Sequence, residues 1–593
     1  MSLSIDWASA PQPYTTAQRR IVIVASVVIA LSRLLAAART MWDWDEVLFC
    51  QALGDFDVTL HHPHPPGFPV FIAAARLVRF AVEDDFRALQ AVSVASSMLL
   101  FPVMLLFCRE LRLRFPTALV ASSLCCFFPS VWFYGGTAFS DVTSLALVTG
   151  ACAWLLWGCR SFGAYIAGVI LLALAIGVRS QNLLVGLVPL LLSTRFRLRE
   201  RGRVVLTAAV LCITIIGVSY AAAAIATGSW EMYRAAIAHH GEYIRRVDSF
   251  LSPTRLPLWH LFDRFFLRQY QWAAGGIVVS LLVLGSLVQC VRKRELQPAV
   301  ALAIFAPFCL FAWLMLDRFS INRFAIGYSP PFAILAADGL SRLARWLSQR
   351  FGRFSETAIE SLLGITLVAS FAAWNLPALH TVRTTVSPTV AALEWIRTNE
   401  LAGETTLYVG QSMVQFVEHA LPGVPFVVAA NEHALPLRAT SGYLVAEWIS
   451  GDPRELVFRR DRGHLWKVAR RHYFDVSISP LRRAPTFLDG WSSVETDARG
   501  EFRRMGERSV MVLPPSRAPS WLTLEMDAPS SSSLVEVRLD GETLGRAAPE
   551  GLQLAVEYRV TPSAAGSHRL EIIARGGLVL RRISWGHRAR RQS

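Results

Sequence analysis

Apolar runs long enough to cross a lipid bilayer recur from Ile21 to Trp374, and no other feature limits the fold of this chain as strongly. A helix needs about 20 mostly apolar residues to cross some 30 Å of hydrocarbon, and soluble domains do not supply such runs in series. The composition agrees. Of 593 residues only 17% are charged and 53% are hydrophobic, where roughly 25% charged is ordinary. A soluble enzyme, a disordered chain and a disulfide scaffold are all excluded. The reading is a polytopic α-helical membrane protein with eleven spanning helices, over 21–38, 88–108, 116–133, 140–158, 163–178, 182–194, 204–226, 273–291, 299–316, 324–340 and 357–376.

The formal charge of +15 would suit a nucleic-acid partner if it lay in a stripe. Instead the arginines gather between apolar runs: Arg109, Arg112 and Arg114, then 195–203, 292–294 and 342–353. Such clusters mark loops kept in the cytoplasm, so no nucleic-acid partner is expected. Segment 67–82 is short and carries Arg76 and Arg79; counted as a span, it would put every later cluster outside. It is therefore expected to lie at the outer surface. The first run, preceded by Arg19 and Arg20 and lacking a small-residue cleavage site, reads as an uncleaved anchor. The expected topology has the N-terminus in the cytoplasm. Loops 39–66, 134–139, 179–181, 227–272 and 317–323, with the tail from Pro377, are expected outside. All nine cysteines fall between Cys50 and Cys309, none with zinc spacing.

The expected division is a membrane domain over 1–376, an extracytoplasmic α/β domain over 377–484 and an extracytoplasmic β-sandwich over 485–593. In the α/β part, helical patterns at 389–398 and 413–420 alternate with strands at 406–410, 425–429 and 443–447. Farther on, strands at 509–513, 521–526, 534–539, 552–560 and 568–574, with the hairpin signal Asp540-Gly541, point to a sandwich. Ser530 to Ser533 reads as a loop and Arg588 to Arg591 as a basic end able to touch anionic lipid.

The first outer loop is the richest in chemistry: Trp42-Asp43-Trp44-Asp45-Glu46, then Asp55-Phe56-Asp57, then His64-Pro65-Pro66-Gly67. Acids at a membrane boundary are costly and usually placed for a reason, although they also simply mark the non-cytoplasmic side. Asp141 opens a spanning helix on the same expected side, where it or Ser140 would also serve as a helix cap. Arg179 and Gln181 sit at the break between two short helices, a place for a membrane-embedded cavity, and Arg323 precedes Phe324. A guanidinium there suits a phosphate; snorkelling at a helix end explains it as well. Neighbouring histidines do not readily chelate one ion, so the reading leans against a metal while a divalent ion stays possible.

Trp44-Asp45-Glu46-Val47-Leu48-Phe49, followed by Asp55-Phe56-Asp57 and His64-Pro65-Pro66, resembles the first loop of the GT-C glycosyltransferases. Within that superfamily the loop is most similar to protein O-mannosyltransferases and to the aminoarabinose and galacturonic acid transferases of bacterial lipid A. The resemblance covers roughly 20–376. It implies a GT-C fold and transfer of a sugar from a polyprenyl-phosphate donor to a lipid, glycan or protein acceptor, with inversion, outside the bacterial inner membrane. Carried over, Asp45 is the candidate base, with Glu46 orienting it and Asp141 as a second acid. Arg179, Gln181 and Arg323 then form the candidate donor-phosphate site, and His64, Pro65 and Pro66 the substrate loop. Membrane lipids are the remaining expected partners. An O-antigen ligase-like polymer transferase and a transporter without chemistry are the alternatives.

Overall fold

The computed structural model describes residues 6–586 except 197–200, 248, 250, 253–256, 294, 296, 316–320, 353, 400–405, 430–433, 436, 438–441, 448–454, 461–474, 482–484, 498, 515–519, 530–533, 550, 561–566 and 575–576. The expected loop Ser530 to Ser533, the basic end Arg588 to Arg591 and part of the 195–203 cluster lie outside the described residues. By contacts the chain forms two compact units, one of Met1–Val386, the other of Ser387–Asp461 with Arg471–Ser593.

The first unit is helical. Its helices are α1 (Thr16–Leu35), α2 (Trp44–Gly54), α3 (Pro69–Arg79), α4 (Asp85–Glu110), α5 (Phe115–Phe127), α6 (Pro129–Tyr134), α7 (Asp141–Gly158), α8 (Phe162–Val178) and α9 (Asn182–Phe196). They continue with α10 (Arg201–Ala226), α11 (Trp230–Val247), α12 (Leu258–Phe266), α13 (Ala273–Lys293), α14 (Gln297–Met315), α15 (Ile321–Phe324), α16 (Ser329–Phe351) and α17 (Glu356–Thr384). Among the described residues six helical stretches are long and apolar enough to cross a membrane: α4, α7, α10, α13, α14 and the stretch that begins with α17. Three more apolar helices, α5, α8 and α9, are shorter. The other two expected spans, α1 and α16, carry arginines along their length.

Local chemistry fixes several boundaries. Thr15 and Gln18 form a reciprocal capping box at the start of α1, and Asp84 accepts from the Arg87 amide at 2.7 Å to start α4. Two expected spans are shifted by proline. The run 116–133 is split at Pro129, which ends α5 and opens α6, and the run 324–340 becomes regular α-helix only at Ser329, where Pro330 and Pro331 fill the first turn. A proline ring suits a helix start and not its interior. Where α13 crosses α16, a Cβ on Gly339 would stand 2.2 Å from the Leu282 carbonyl oxygen, so only glycine allows that approach.

Segment 67–82 forms the short α3. Its arginines reach back to the end of α2: Arg76 donates to the carbonyls of Leu53 and Ala52 at 3.2 and 2.9 Å, and Arg79 to Leu53 at 3.3 Å. Cations on the unpaired carbonyls of a helix C-terminus are favourable, which accounts for two charges in an apolar helix.

The second unit begins with α18 (Pro388–Thr398) and α19 (Val414–Ala420), which accompany a five-stranded sheet ordered β2-β1-β4-β6-β5. Its strands are β1 (Thr406–Gly410), β2 (Phe426–Ala429), β4 (Gly442–Ala446), β5 (Leu456–Arg459) and β6 (Asp475–Leu481), with β1, β2 and β4 parallel. The strand β3 (Ala434–Leu435) instead pairs with β16. The remainder of the unit is built from two facing antiparallel sheets. One is β13-β12-β15-β10-β7, from β7 (Thr486–Phe487), β10 (Arg508–Leu513), β12 (Val535–Leu539), β13 (Glu542–Ala547) and β15 (His568–Ala574). The other is β14-β11-β16-β9-β8, from β8 (Glu495–Asp497), β9 (Gly500–Arg504), β11 (Ser520–Asp527), β14 (Gln553–Val560) and β16 (Val579–Gly586). Along β11 every second residue is buried, so Leu522, Leu524 and Met526 enter the core with Val537, Leu570, Ile572 and Trp585. Asp540 and Gly541, both at positive φ, make the two-residue turn between β12 and β13.

Candidate active site

The start of α2 sets the site. Asp43 stands in extended conformation as its N-cap and accepts from the Asp45 amide at 3.1 Å. Glu46, three residues on, turns back to complete the capping box. Its carboxylate is fully buried and accepts three backbone N–H groups: Trp42 at 2.6 Å, Asp43 at 3.1 Å and, from the loop before α7, Ala138 at 3.0 Å. Burial pushes the Glu46 pKa up to about 7 despite these three donors. Glu46 is thus spent on backbone, while Asp45 faces a different neighbour.

That neighbour is Arg323. Its Nη1 donates to Asp45 Oδ2 at 2.5 Å, and its Nε lies 3.9 Å from Asp141 Oδ2. Arg179 approaches the same Asp141 oxygen at 2.8 Å and donates to the Ser140 hydroxyl at 3.1 Å. The result is a chain of alternating charge, Asp45–Arg323–Asp141–Arg179, with all four side chains buried. Burial works to lower the Arg323 pKa, but Asp45, Asp141 and Asp43 more than compensate and hold it above its ordinary value. Both guanidinium groups also rest on aromatic faces, Arg323 4.9 Å from the Phe139 centroid and Arg179 5.3 Å from that of Phe68. Neither arginine reaches out to the surface as a snorkelling side chain would. Ser140 makes no side-chain cap, and the Asp141 carboxylate is committed to arginine.

A recess opens beside this chain. Its polar wall is Asp141, Ser144, Arg179, Gln181, Asn182 and Arg323; its apolar wall includes Leu145, Val148, Phe308 and Ile326. Asn182, which the sequence reading did not single out, pins the break between α8 and α9: its amide donates to the Ala175 carbonyl at 2.7 Å and to the Ser144 hydroxyl at 2.8 Å. An Asn directly after the polar break was the available signal.

The substrate-loop candidates pack tightly. His64 is enclosed by aromatic rings, with centroids 4.8 Å from Phe68, 5.9 Å from His240 and 6.1 Å from Phe49. Burial pushes its pKa down to about 3, with Asp45 opposing, so the ring is neutral at pH 7. The Pro66 carbonyl accepts from the Tyr233 hydroxyl at 2.7 Å, tying the loop to α11. Gly67 then turns the chain at φ +98, where a Cβ would meet the Phe56 ring at 2.8 Å. Among the described residues Pro65 has no hydrogen-bond partner. Among the described residues no three His, Cys, Asp or Glu side chains converge as a metal site would require.

Over most of its length the chain is similar to solved structures of two proteins. The first is ArnT from Cupriavidus metallidurans bound to undecaprenyl phosphate, at 11% identity and a TM-score of 0.49 over 78% of this chain and 98% of that one. The second is the archaeal oligosaccharyltransferase AglB from Archaeoglobus fulgidus in complex with an inhibitory peptide and a dolichol-phosphate, at 11% identity and a TM-score of 0.44 over 96% and 98%. No family model matches the chain, and no curated protein matches its sequence. At these scores the likeness is one of outline, and the chemistry has to come from the side chains.

Proposed function

We propose that this chain is an inverting glycosyltransferase of the GT-C type, which moves a sugar from a polyprenyl-phosphate donor to the hydroxyl of a lipid, glycan or protein acceptor. The buried chain Asp45–Arg323–Asp141–Arg179 is the observation that carries this reading. Within this chain two carboxylates balance two guanidinium groups, all four of them buried. A donor phosphodiester would bring one negative charge into the recess, and the leaving phosphate a second. Arginines already aimed at acidic oxygens suit that growing charge. The apolar wall of Leu145, Val148, Phe308 and Ile326 suits the first prenyl units.

In this mechanism the acceptor oxygen attacks the anomeric carbon, the carbon–oxygen bond to phosphate breaks, and Asp45 takes the hydroxyl proton. The sugar inverts because attack comes opposite the leaving phosphate. Arg323 has to be shared. As phosphate draws it away, Asp45 becomes a better base, since its stabilising cation is engaged elsewhere. Glu46 and Asp43 hold the start of α2, and Asp141 keeps the two arginines side by side. The reading places the site on the extracytoplasmic face of the bacterial inner membrane, where lipid-linked donors replace cytoplasmic nucleotide sugars.

The test is transfer from a panel of radiolabelled polyprenyl-phosphate sugars to membrane extract by detergent-purified protein, with and without a divalent ion. Wild type should move label from at least one donor. Asp45→Asn should lose about 10²–10⁴-fold. Equal transfer by both proteins removes Asp45 as the base, and silence of the wild type with every donor removes the transferase reading.

A further inference from the structure

Two loops bring the acids together, 36–43 before Asp45 and 135–140 before Asp141, and neither has a regular ladder to fix it. Their backbones meet at Gly136, whose carbonyl accepts from the Ala38 amide at 2.8 Å and where a Cβ would stand 2.8 Å from the Ala36 carbonyl oxygen. Further contacts come from one face of α4, while the Arg39 amide and guanidinium also donate to the Val382 and Thr384 carbonyls at the end of α17. Arg87, Gln90 and Ser93 follow at intervals of three, which in a helix aligns them on one side. Gln90 is buried and spends both hydrogens of its amide on carbonyls of different loops, Ala38 and Gly136, each at 2.8 Å. Its Oε1 accepts from Arg87 at 2.6 Å. Arg87 in turn donates to Ala38 at 2.8 Å and to Arg39 at 2.7 Å, and the Ser93 hydroxyl donates to Tyr134 at 3.2 Å.

We propose that Gln90, with Arg87 orienting it, is a positioning residue for the acid pair: it clamps the two loops in register so that Asp45 and Asp141 flank the same Arg323. The argument is one of connectivity. Beyond the clamp, the two loops are joined at the site through Glu46 on the Ala138 amide and through the charge chain itself. Gln90 is the side chain whose single amide bonds both loops. An apolar residue of the same size leaves the Ala38 carbonyl to Arg87 and the Gly136 carbonyl to the Ala38 amide, and removes the side-chain bridge that keeps the loops from sliding. A shift of about 1 Å between reacting groups is enough to cost on the order of 10²-fold in rate. This role rests on the glycosyltransferase reading for its effect on rate, but the clamp itself is testable without it.

The experiment compares full-length wild type, Gln90→Leu and Arg87→Lys in detergent by hydrogen–deuterium exchange and by transfer kinetics. Exchange should rise by about tenfold or more in Gln90→Leu over 36–46 and 134–141 together, while segments such as 356–384 and 508–513 keep their wild-type rates. With an active donor, kcat should fall by about 10- to 100-fold and by more than the donor KM rises, because Gln90 touches neither Arg179 nor Arg323 and acts on them only through the loop before Asp141. Arg87→Lys keeps the charge without the fork and should give a smaller change in the same two segments; it decides the matter if Gln90→Leu does not fold. Exchange that is unchanged in the two loops, or that rises evenly along the chain, overturns the clamp, as does a fall in activity carried by KM alone. If wild type transfers nothing, the transferase reading fails while the exchange data still judge the clamp.

Discussion

Ion pairs in the helical unit and in the β-rich unit are built from the same residues under opposite conditions. Arg323 and Asp45 are 8% and 6% exposed, whereas Arg504 and Glu495 on the sandwich are 65% and 34% exposed. In water such a pair is screened and contributes little. Out of water each charge depends on its partner, and an apolar pair of the same volume would often be at least as stable. Fold stability therefore does not explain why four charges are kept together at Asp45, Arg323, Asp141 and Arg179. The reason has to lie in what the site does.

The comparison breaks most decisively at Arg323. Arg323→Ala leaves Asp45 buried without its cation and is expected to abolish transfer and to destabilise the helical unit by about 3–5 kcal/mol, read by thermal unfolding in detergent. Joining Asp45→Asn to Arg323→Met should restore most of that stability and none of the activity. If Arg323→Ala alone is as stable as wild type, the pair is already wet, and the contrast with the sandwich vanishes.

A smaller effect tests Glu46. Its pKa lies at about 7 in the fold against an ordinary 4.5. Between those values the folded state binds more protons than the unfolded chain, so stability should fall as pH rises through the window and level off above it. The full swing is at most about 3 kcal/mol. Unfolding midpoints from pH 4 to 8 should show the slope in wild type and a flatter line in Glu46→Gln. A slope of opposite sign would mean that its three amide donors outweigh burial. Least of all is expected on the sandwich: Arg504→Ala should leave both the unfolding midpoint and transfer unchanged, and a clear drop there would show that surface pairs in this protein are not screened.

The charged members of the site were legible because charge stands out in apolar surroundings. Asp45, Asp141, Arg179 and Arg323 all announced themselves that way. Their pairing was not legible, since it depends on loops far apart in sequence meeting in space; nothing near Glu46 says that it will take the Ala138 amide. Gln90 and Arg87 were hidden for another reason, as polar residues at the head of a long apolar helix look like ordinary interface. In the fold, β1 and β15 match their sequence expectations at both ends. The strands β9 and β16 were missed: Arg503, Arg504, Arg581 and Arg582 interrupt their patterns, and only the tertiary structure supplies acids such as Glu495, Asp497 and Asp527 to pair with Arg504 and Arg581.

The two-residue strand β3 has a bearing on how this protein can be dissected. It pairs with β16 at Ile583 and Ser584, farther along β16 than the part held by β9, and just beyond it Leu437 joins the sandwich core while its carbonyl accepts from Arg503 at 2.8 Å. A fragment starting at 485 would lose a core side chain, an arginine's partner and the cover of a strand edge at one stroke. Such an edge invites intermolecular pairing. A soluble version of the tail for crystallography or binding work should therefore start before Ser387, with the α/β sheet retained, and a gene cut at 485 is expected to yield aggregate.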